Sequence, residues 1–433
     1  MTEQTALEQM ALEQTALKQM ALKQMTLEQM TLEQMTLEQM TLEQMAEETG
    51  DERSKKHVAC FIPNLDGGGA ERVMIHLSEG FVHRGWRVDL VVDQVTGAYA
   101  SKIPHTIKLI DLQARSHLPA KRTLPQIITK TLALRRYLRD YQPDVLITTL
   151  DVVNAASWAQ RLAGVSTKVI MVVQTHLSQQ FSDRHSATVQ KVRSQIVKYC
   201  YPWADQIVAA SQGVADNVAA MMDISADQIR VIYNPVVRPD LATKAAEPID
   251  HPWFVEGEVP VLLGAGRLVK QKDFATLVRA FAQVRQQRPC RLVIIGDTDE
   301  REAHIKPALE QMIQALNLQT DVTFLGFVEN PYKYMARAQV FVLSSIYEGF
   351  GNVVAEALSV GTSVVATDCE SGPSEILAQG QFGHLVPVKD PNALAAAIIA
   401  TLDQPQPPEQ LKSRARDFTI DTIVDQYCQV MAS

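Results

Sequence analysis

The sequence predicts an α/β protein with two parallel β-sheets, each covered by helices. From residue 57 to residue 430, apolar runs of strand length alternate with amphipathic stretches of helix length. A stretch rich in Pro, Ala and acidic residues at 236–258 interrupts the alternation, as an interdomain linker does. The 433 residues also exceed what one core normally holds. We therefore predict an N-terminal domain over 55–240 and a C-terminal domain over 258–415.

Composition and charge exclude several classes of protein. Hydrophobic residues make up 46% of the chain and charged residues 21%, which is typical of a soluble globular protein, and no apolar run is long enough for a membrane-spanning helix. The start, MTEQTALEQM, has no basic or apolar segment typical of a secretory signal, so we expect a cytoplasmic protein. Residues 1–50 carry nearly all of the formal charge of −8, and the near-neutral remainder argues against a nucleic-acid partner.

The cysteines predict neither disulfides nor a metal site. They are odd in number, far apart and never in C-x-x-C spacing. We interpret them as reduced thiols in the core. They are Cys60, Cys200, Cys290, Cys369 and Cys428.

Residues 1–50 are predicted to be a low-complexity tail. Residues 5–44 are eight copies of the unit [MT]-[AT]-L-[EK]-Q. A five-residue step turns a helix by about 140° beyond a full turn, so the repeated Leu7, Leu12 and Leu17 point all around the axis and form no coiled-coil seam. A dispensable tail and a segment that binds an unknown partner both remain open.

The N-terminal half begins with a strand, a glycine loop and a helix. HVACFIPNL at 57–65 is predicted as a buried strand, three glycines follow at 67–69, and an amphipathic helix starts at Ala70. Backbone N–H groups at such a helix start can bind an anion or a sugar, although tight packing alone also explains glycines there. The G-x-G-x-x-G fingerprint of NAD-linked oxidoreductases is not satisfied, which argues against that class.

Further strands are predicted at 143–149, 168–174, 205–211 and 229–235. His176 follows the second of these directly, at the sheet edge where parallel α/β proteins bind their ligands. It is a candidate site residue, or a histidine that only caps the strand end.

Two basic stretches, at 121–140 and 184–198, can each form a helix with a basic face. Such a face attracts anionic lipid or a polyphosphate-linked acceptor, but ordinary solvated helices have the same composition. Peripheral membrane contact therefore remains open at this point.

The C-terminal half repeats the alternation and adds charged residues at loop positions. VPVLLGAG at 259–266 is a strand, and Arg267 and Lys272 lie on the loop that leads to the next helix. Basic side chains at this position can bind a diphosphate or can be plain surface charges.

The string SSIYEGFGNVVAEALSVGTSVVAT at 344–367 carries the strongest pattern. A strand ends at Ser345, glycines shape the turn, and a helix starts near Asn352 with its N–H groups open to phosphate. Glu348 and Glu356 can both face one cleft, where carboxylates accept hydrogen bonds from sugar or ribose hydroxyls.

With these motifs in order, residues 57–430 resemble the retaining GT-B glycosyltransferases of family 4, the group 1 transferases. The resemblance implies two Rossmann-like domains facing each other across a cleft, with a final helix at 416–433 that crosses back onto the first domain. The matching motifs are GGGAERV at 67–73, His176, SQGV at 211–214, IYNPV at 232–236, GRLVKQKDF at 266–274, FLGFVENP at 324–331 and Y-E-G-F-G-x4-E-A at 347–357.

The resemblance implies a role for each site residue. Glu348, Arg267, Lys272 and His176 form the catalytic set, in which Arg267 and Lys272 bind the diphosphate leaving group and Glu348 contacts the transferred sugar. Gly68, Gly69 and His176 match positions on the acceptor side that face the acceptor or the reacting sugar. The donor-binding set comprises Arg267, Lys272, Phe327 and Val328 near the base, Glu348, the backbone of Gly349, Phe350, Gly351, Asn352 and Val353 at the phosphates, and Glu356 at the ribose.

The resemblance also implies the chemistry: transfer with retention, in which the donor phosphate helps to deprotonate the acceptor, with no metal and no cofactor besides the nucleotide-sugar co-substrate. SGPSEIL at 371–377 resembles a variant seen in transferases of UDP-linked hexosamines and galactose-type sugars. We therefore expect a UDP-hexose or UDP-N-acetylhexosamine donor and a glycan or lipid-linked acceptor of bacterial surface polysaccharide or lipopolysaccharide, at the inner membrane face. A GDP-mannose donor, a GT-B epimerase or phosphorylase, and a non-catalytic scaffold are the alternatives.

Overall fold

The computed structural model of the chain describes residues 55–66, 68–115, 126–149, 153–184, 186–254 and 259–432. The predictions for the tail at 1–50, for Gly67 and for the basic residues at 121–125 lie outside these ranges.

The first sheet is parallel throughout and, within the described residues, has seven strands in the order β3-β2-β1-β4-β5-β6-β7. Helices cover both faces, so the central strands β1, β4 and β5 are buried on both sides and mainly apolar, as the apolar runs in the sequence predict. The strands are β1 (His57–Ile62), β2 (Arg87–Val92), β3 (Lys108–Asp111), β4 (Val145–Thr149), β5 (Lys168–Val173), β6 (Gln206–Ala209) and β7 (Arg230–Val231). The helices are α1 (Gly69–His83), α2 (Leu112–Arg115), α3 (Gln126–Tyr141), α4 (Val153–Ala163), α5 (Leu177–Arg184), α6 (Ala187–Cys200) and α7 (Gln212–Met222).

The second sheet is also parallel, with six strands among the described residues in the order β10-β9-β8-β11-β12-β13. The predicted α/β class with two parallel sheets is therefore confirmed. The strands are β8 (Val261–Ala265), β9 (Arg291–Ile295), β10 (Val322–Gly326), β11 (Val340–Leu343), β12 (Ser363–Thr367) and β13 (His384–Val386). The helices from residue 241 onward are α8 (Leu241–Ala246), α9 (Phe274–Gln287), α10 (Ile305–Ala315), α11 (Tyr332–Met335), α12 (Asn352–Ser359), α13 (Pro373–Ile376), α14 (Pro391–Asp403), α15 (Pro408–Ala415) and α16 (Ile420–Ala432).

The segment predicted as a linker contains the helix α8, whose Leu241 is buried in the core of the second sheet. The strand predicted at 229–235 is shorter than expected, because only Arg230 and Val231 pair with β6. Pro235 lacks the N–H that a longer ladder would use.

The last helix, α16, packs on the first sheet. Ile423, Val424 and Tyr427 are buried in the same core as α1. A Cβ built at Gly80 of α1 would lie 2.5 Å from a methyl group of Val424, so the close approach of the two helices requires glycine there. This contact ties the C-terminus to the first sheet.

Two smaller findings concern membranes and cysteines. In the ranges that the structure covers, no helix combines the length and the apolar character needed to cross a bilayer. The five cysteines all lie in the described residues and form no disulfide, and Cys60, Cys290 and Cys369 are buried. Cys428 is half-buried and packs against the core of the first sheet, so the prediction of core thiols is wrong only for Cys200, which is half-buried at the end of α6.

Candidate active site

The loop that carries Glu348 lies directly against the first domain. The hydroxyl of Ser211, at the start of α7, donates a hydrogen bond to the carbonyl oxygen of Gly349 at 2.6 Å. A Cβ built at Gly349 would lie 1.9 Å from the carbonyl oxygen of Gln174, which follows β5. The carboxyl-end loops of both sheets therefore meet at this point, and only glycine allows the approach.

Lys272 and Glu348 are in contact. The ammonium of Lys272 lies 2.5 Å from Glu348 Oε1, and the hydroxyl of Ser345 donates to the same oxygen at 2.6 Å. The backbone N–H of Ile346 donates to the carbonyl of Gln271 at 2.8 Å, which holds the two loops side by side. Both partners of the ion pair are largely buried, so the pair forms a preorganised polar centre at the carboxyl end of β11.

Arg267 is on the same loop but has a different partner. Its guanidinium lies 3.1 Å from Asp299 Oδ2, and its side chain is 52% exposed. Hydrogen bonds from Arg301 hold the pKa of Asp299 well below its usual range, with the charge of Arg267 a smaller contribution. Burial raises the pKa of Glu71, on α1, against the opposing charge of Arg267. Arg267 is therefore a solvent-accessible cation beside the glycine-loop helix.

The N-terminus of α12 faces the glycine loop. Gly351 precedes the helix with φ +93°, a conformation that favours glycine. Asn352 accepts a hydrogen bond from Asn234 Nδ2 at 2.8 Å, and a Cβ built at Gly69 would lie 3.4 Å from its side chain. The first N–H groups of a helix have no partner within the helix, so they are available for phosphate here.

Phe350 lies within the predicted phosphate loop, but its side chain is in the core. It stacks on Tyr233 at 5.3 Å and meets Phe418 at 5.4 Å between ring centres. Only the backbone of Phe350 can contact a donor; Val353 packs partly buried against the same core.

Glu356 is more deeply buried than Glu348 and His176, with 1% of its surface exposed. Its Oε1 accepts from Arg72 at 2.5 Å and lies 3.3 Å from the hydroxyl of Tyr332. Its Oε2 is buried and has no hydrogen-bond partner among the described residues. Leaving such an acceptor unpaired costs about 1–3 kcal/mol, so the arrangement favours a ligand that brings a hydroxyl or N–H donor.

His176 reaches across the cleft to the second domain. Its Nε2 lies 3.1 Å from Glu370 Oε2, and its Nδ1 lies 3.3 Å from the hydroxyl of Ser178. Burial lowers the pKa of His176, with Glu370 opposing the shift.

Phe327 and Val328, predicted near the base, follow β10 and differ in exposure. Phe327 is 57% exposed and offers a free aromatic face, whereas Val328 packs partly buried on the core of the second sheet. A planar ring can stack on an exposed aromatic side chain of this kind.

The structure thus brings Lys272 and Glu348 together, places Glu356 in a separate buried cluster, and leaves Arg267 and Phe327 exposed. Several polar residues at these contacts were missed as site residues, although some lie in motifs that the sequence analysis singled out. They are Arg72 in GGGAERV, Ser211 in SQGV, Asn234 in IYNPV, Glu375 in SGPSEIL, and Tyr332 and Glu370 outside any motif used.

Comparison with protein families gives two matches that do not overlap. The family described as Glycosyltransferase Family 4 matches residues 67–238, and that described as Glycosyl transferases group 1 matches residues 247–418. The first match covers β2 to β7 of the first sheet, and the second match covers all six described strands of the second sheet. Together they span most of the chain.

Curated relatives and solved structures agree with this assignment. An N-acetylgalactosaminyltransferase of Campylobacter jejuni, named for an undecaprenol-diphosphate-linked acceptor, is 29% identical over 357 residues, 82% of this chain and 93% of the relative. The lipopolysaccharide core biosynthesis glycosyltransferase LpsE of Rhizobium meliloti is 26% identical over 84% of this chain and 96% of its own length. The Anabaena protein Alr3699/HepE, solved with UDP and glucose, superposes with a TM-score of 0.66 at 20% identity over 87% of this chain and 99% of that one.

The predicted resemblance is therefore confirmed, with two Rossmann-like domains, two family matches over the two domains and relatives aligned over nearly their whole length. The chain belongs to the group 1, family 4 glycosyltransferases and is a glycosyltransferase with the GT-B fold.

Proposed function

We propose that the enzyme transfers a hexose or N-acetylhexosamine from a UDP-linked donor to a glycan or lipid-linked acceptor in bacterial surface polysaccharide or lipopolysaccharide synthesis. The names of the Campylobacter and Rhizobium relatives support this class of acceptor, and the Anabaena neighbour holds UDP and glucose. The motif SGPSEIL, which includes Glu375, supports the same choice of donor.

The observation that carries the proposal is the buried Oε2 of Glu356, for which the described part of the chain offers no donor. A ribose hydroxyl is a donor of the right kind. A carboxylate can accept a hydrogen bond from a hydroxyl, whereas a backbone N–H is only a donor and cannot accept one. Arg267 and Lys272 lie on the loop after β8, where a diphosphate joined to that ribose would find positive charge and the N-terminus of α12.

Transfer proceeds with retention in this proposal. The bond between the anomeric carbon and the donor phosphate oxygen breaks, and the acceptor oxygen bonds to the same face of the sugar. The acceptor proton passes to the departing phosphate, so no protein nucleophile is required. Lys272 and Arg267 stabilise the negative charge that develops on the diphosphate, and Glu348 holds the transferred sugar. We also propose that these two cations take the place of a metal ion.

A thermal-shift screen with UDP, GDP, ADP and their sugar conjugates tests the proposed donor, because a ligand that binds only the folded state raises the melting temperature. We expect UDP and one UDP-sugar to give the largest shift, and release of UDP from that sugar nucleotide in the presence of EDTA to match release with added Mg²⁺. A shift with GDP alone would contradict the UDP assignment, a loss of turnover in EDTA would contradict the metal-free step, and no shift with any nucleotide would contradict the donor site.

We further propose that the enzyme works at the surface of the cytoplasmic membrane. Exposed apolar side chains lie on three helices, of which α4 packs against both others. They are Ile128 and Leu132 on α3, Leu162 on α4, and Val189, Val192 and Tyr199 on α6. The basic residues Lys191, Arg193 and Lys198 accompany the apolar residues of α6, which is the composition of a helix that lies on an anionic bilayer.

Replacing Val189 and Val192 by Ser is expected to weaken binding to vesicles of phosphatidylethanolamine and phosphatidylglycerol about tenfold, because two exposed apolar side chains no longer enter the lipid. Co-sedimentation measures the bound fraction. Leu316→Ser is the control, since Leu316 is equally an exposed apolar residue but lies beside α10 of the second domain. Equal binding by the double variant and the wild type, or an equal loss in the control, would contradict this membrane surface.

A further inference from the structure

Arg72 and Glu356 form an ion pair between the two domains. Arg72 lies on α1, the helix that follows the glycine loop of the first domain, and Glu356 lies on α12 of the second. We infer that Arg72 is a positioning residue for the nucleotide: it holds the Glu356 carboxylate so that Oε2 accepts a ribose hydroxyl, and it does so only while the domains are together. This inference rests on the proposed function.

The geometry divides the two carboxylate oxygens between protein and ligand. Arg72 Nη2 lies 2.5 Å from Oε1 and the Tyr332 hydroxyl lies 3.3 Å from the same atom. Two donors on one oxygen fix the rotation of the carboxylate. The other oxygen, Oε2, has no hydrogen-bond partner among the described residues. Without Arg72 the weaker contact from Tyr332 would be the one that remains at Oε1.

The electrostatics make the cation necessary. A carboxylate that is 1% exposed is costly to keep ionised without a partner, and Arg72 supplies that partner while its own side chain remains 24% exposed. Burial would lower the pKa of Arg72, but Glu356, together with smaller contributions from Tyr332 and Tyr99, more than offsets it, so the pKa lies above its ordinary value. Burial, and then Glu356, raise the pKa of Tyr332, which remains a hydroxyl donor.

The surroundings of Arg72 hold it at the interface. Its backbone N–H donates to the carbonyl of Gly68 at 3.2 Å, which ties the first turn of α1 to the glycine loop. One turn later, His76 Nδ1 lies 2.7 Å from the carbonyl of Pro235, and burial, followed by the charge of Arg72, lowers the pKa of His76 to about 3. The adjacent histidine is therefore neutral and does not compete with Arg72 as a second cation for Glu356.

Because the cation and the carboxylate belong to different domains, opening the cleft separates them. Ribose binding at Oε2 and contact between the domains then favour each other through one carboxylate. A salt bridge that merely joined the domains would make no distinction between nucleotides with and without ribose hydroxyls.

The test compares UDP with 2′,3′-dideoxyuridine diphosphate by titration calorimetry. We expect the wild type to prefer UDP, and Arg72→Ala to bind UDP about 10- to 100-fold more weakly while its affinity for the dideoxy compound changes less than about twofold. Arg72→Lys should restore part of the UDP affinity. In turnover assays, the KM for the UDP-sugar should rise in Arg72→Ala with much less change in kcat.

Two further variants sharpen the comparison. Glu356→Gln should lose the same preference for UDP, and the double variant Arg72→Ala/Glu356→Gln should lose little more than either single variant, because both act on one contact. Arg72→Lys, which keeps a cation at the interface, serves as the test variant if Arg72→Ala does not fold.

The outcomes separate this inference from the proposed function. Equal losses for UDP and the dideoxy compound, or additive losses in the double variant, would overturn the role of Arg72 while leaving a nucleotide-binding enzyme. Failure of the wild type to bind either compound would overturn the proposed donor itself.

Discussion

Glu348→Gln is expected to lower the rate of glycosyl transfer by about 100- to 1000-fold with the fold intact. The carboxylate lies 2.5 Å from the ammonium of Lys272, so the substitution removes a charge from the centre of the predicted donor site. Gln retains the size of the side chain and an oxygen that can accept from Ser345, which bonds to Glu348 at 2.6 Å in the wild type. The measurement is kcat for release of nucleotide from the sugar nucleotide in the presence of acceptor.

The control for this variant is Glu409→Gln, on the exposed start of α15, which should turn over normally. UDP affinity should change less than about threefold in Glu348→Gln, because Glu348 contacts the transferred sugar in the proposal and UDP lacks that sugar. Near-normal turnover would remove Glu348 from the site, and a large drop in melting temperature would assign the loss to folding.

Lys272→Ala is expected to weaken UDP binding by about tenfold or more, because its ammonium is the buried cation at the predicted diphosphate position. Uridine, which has no phosphate, should bind the variant and the wild type equally. The two ligands together isolate the phosphate contact from any general damage to the pocket. Titration calorimetry gives both affinities.

Lys270→Ala is the matched control, since Lys270 lies two residues earlier on the same loop with its side chain exposed and 3.6 Å from Asp183. It should bind UDP as the wild type does. An unchanged UDP affinity in Lys272→Ala, or equal losses in the two variants, would contradict a phosphate role for Lys272.

The local features of the site follow from the sequence. The short-range spacing of apolar residues predicts the buried strands and the amphipathic helices. The start of α12 near Asn352 follows from the glycines before it. The loop positions of Lys272 and Glu348 follow in the same way, because the ends of parallel strands lie at one edge of a sheet.

The partners across the cleft could not be predicted from these patterns. From the sequence, Arg72 is one more polar residue on an amphipathic helix. The neighbouring residues do not indicate that it contacts Glu356 on the other domain. Phe350 sits between two predicted phosphate-binding glycines, yet its side chain belongs to a ring cluster with Tyr233 and Phe418. Helix α8 lies inside a segment with the composition of a linker. It is stabilised because Leu241 is buried in the core of the second sheet.

The sequence by itself therefore determined the fold class, the family and the loops that carry the chemistry, since each depends on residues close together in the chain. Only the tertiary structure decided which charges meet: Lys272 with Glu348, Arg267 with Asp299, and Arg72 with Glu356. The physical reason is that periodicity specifies which face of an element is buried, whereas the partner of a buried charge depends on how distant elements pack.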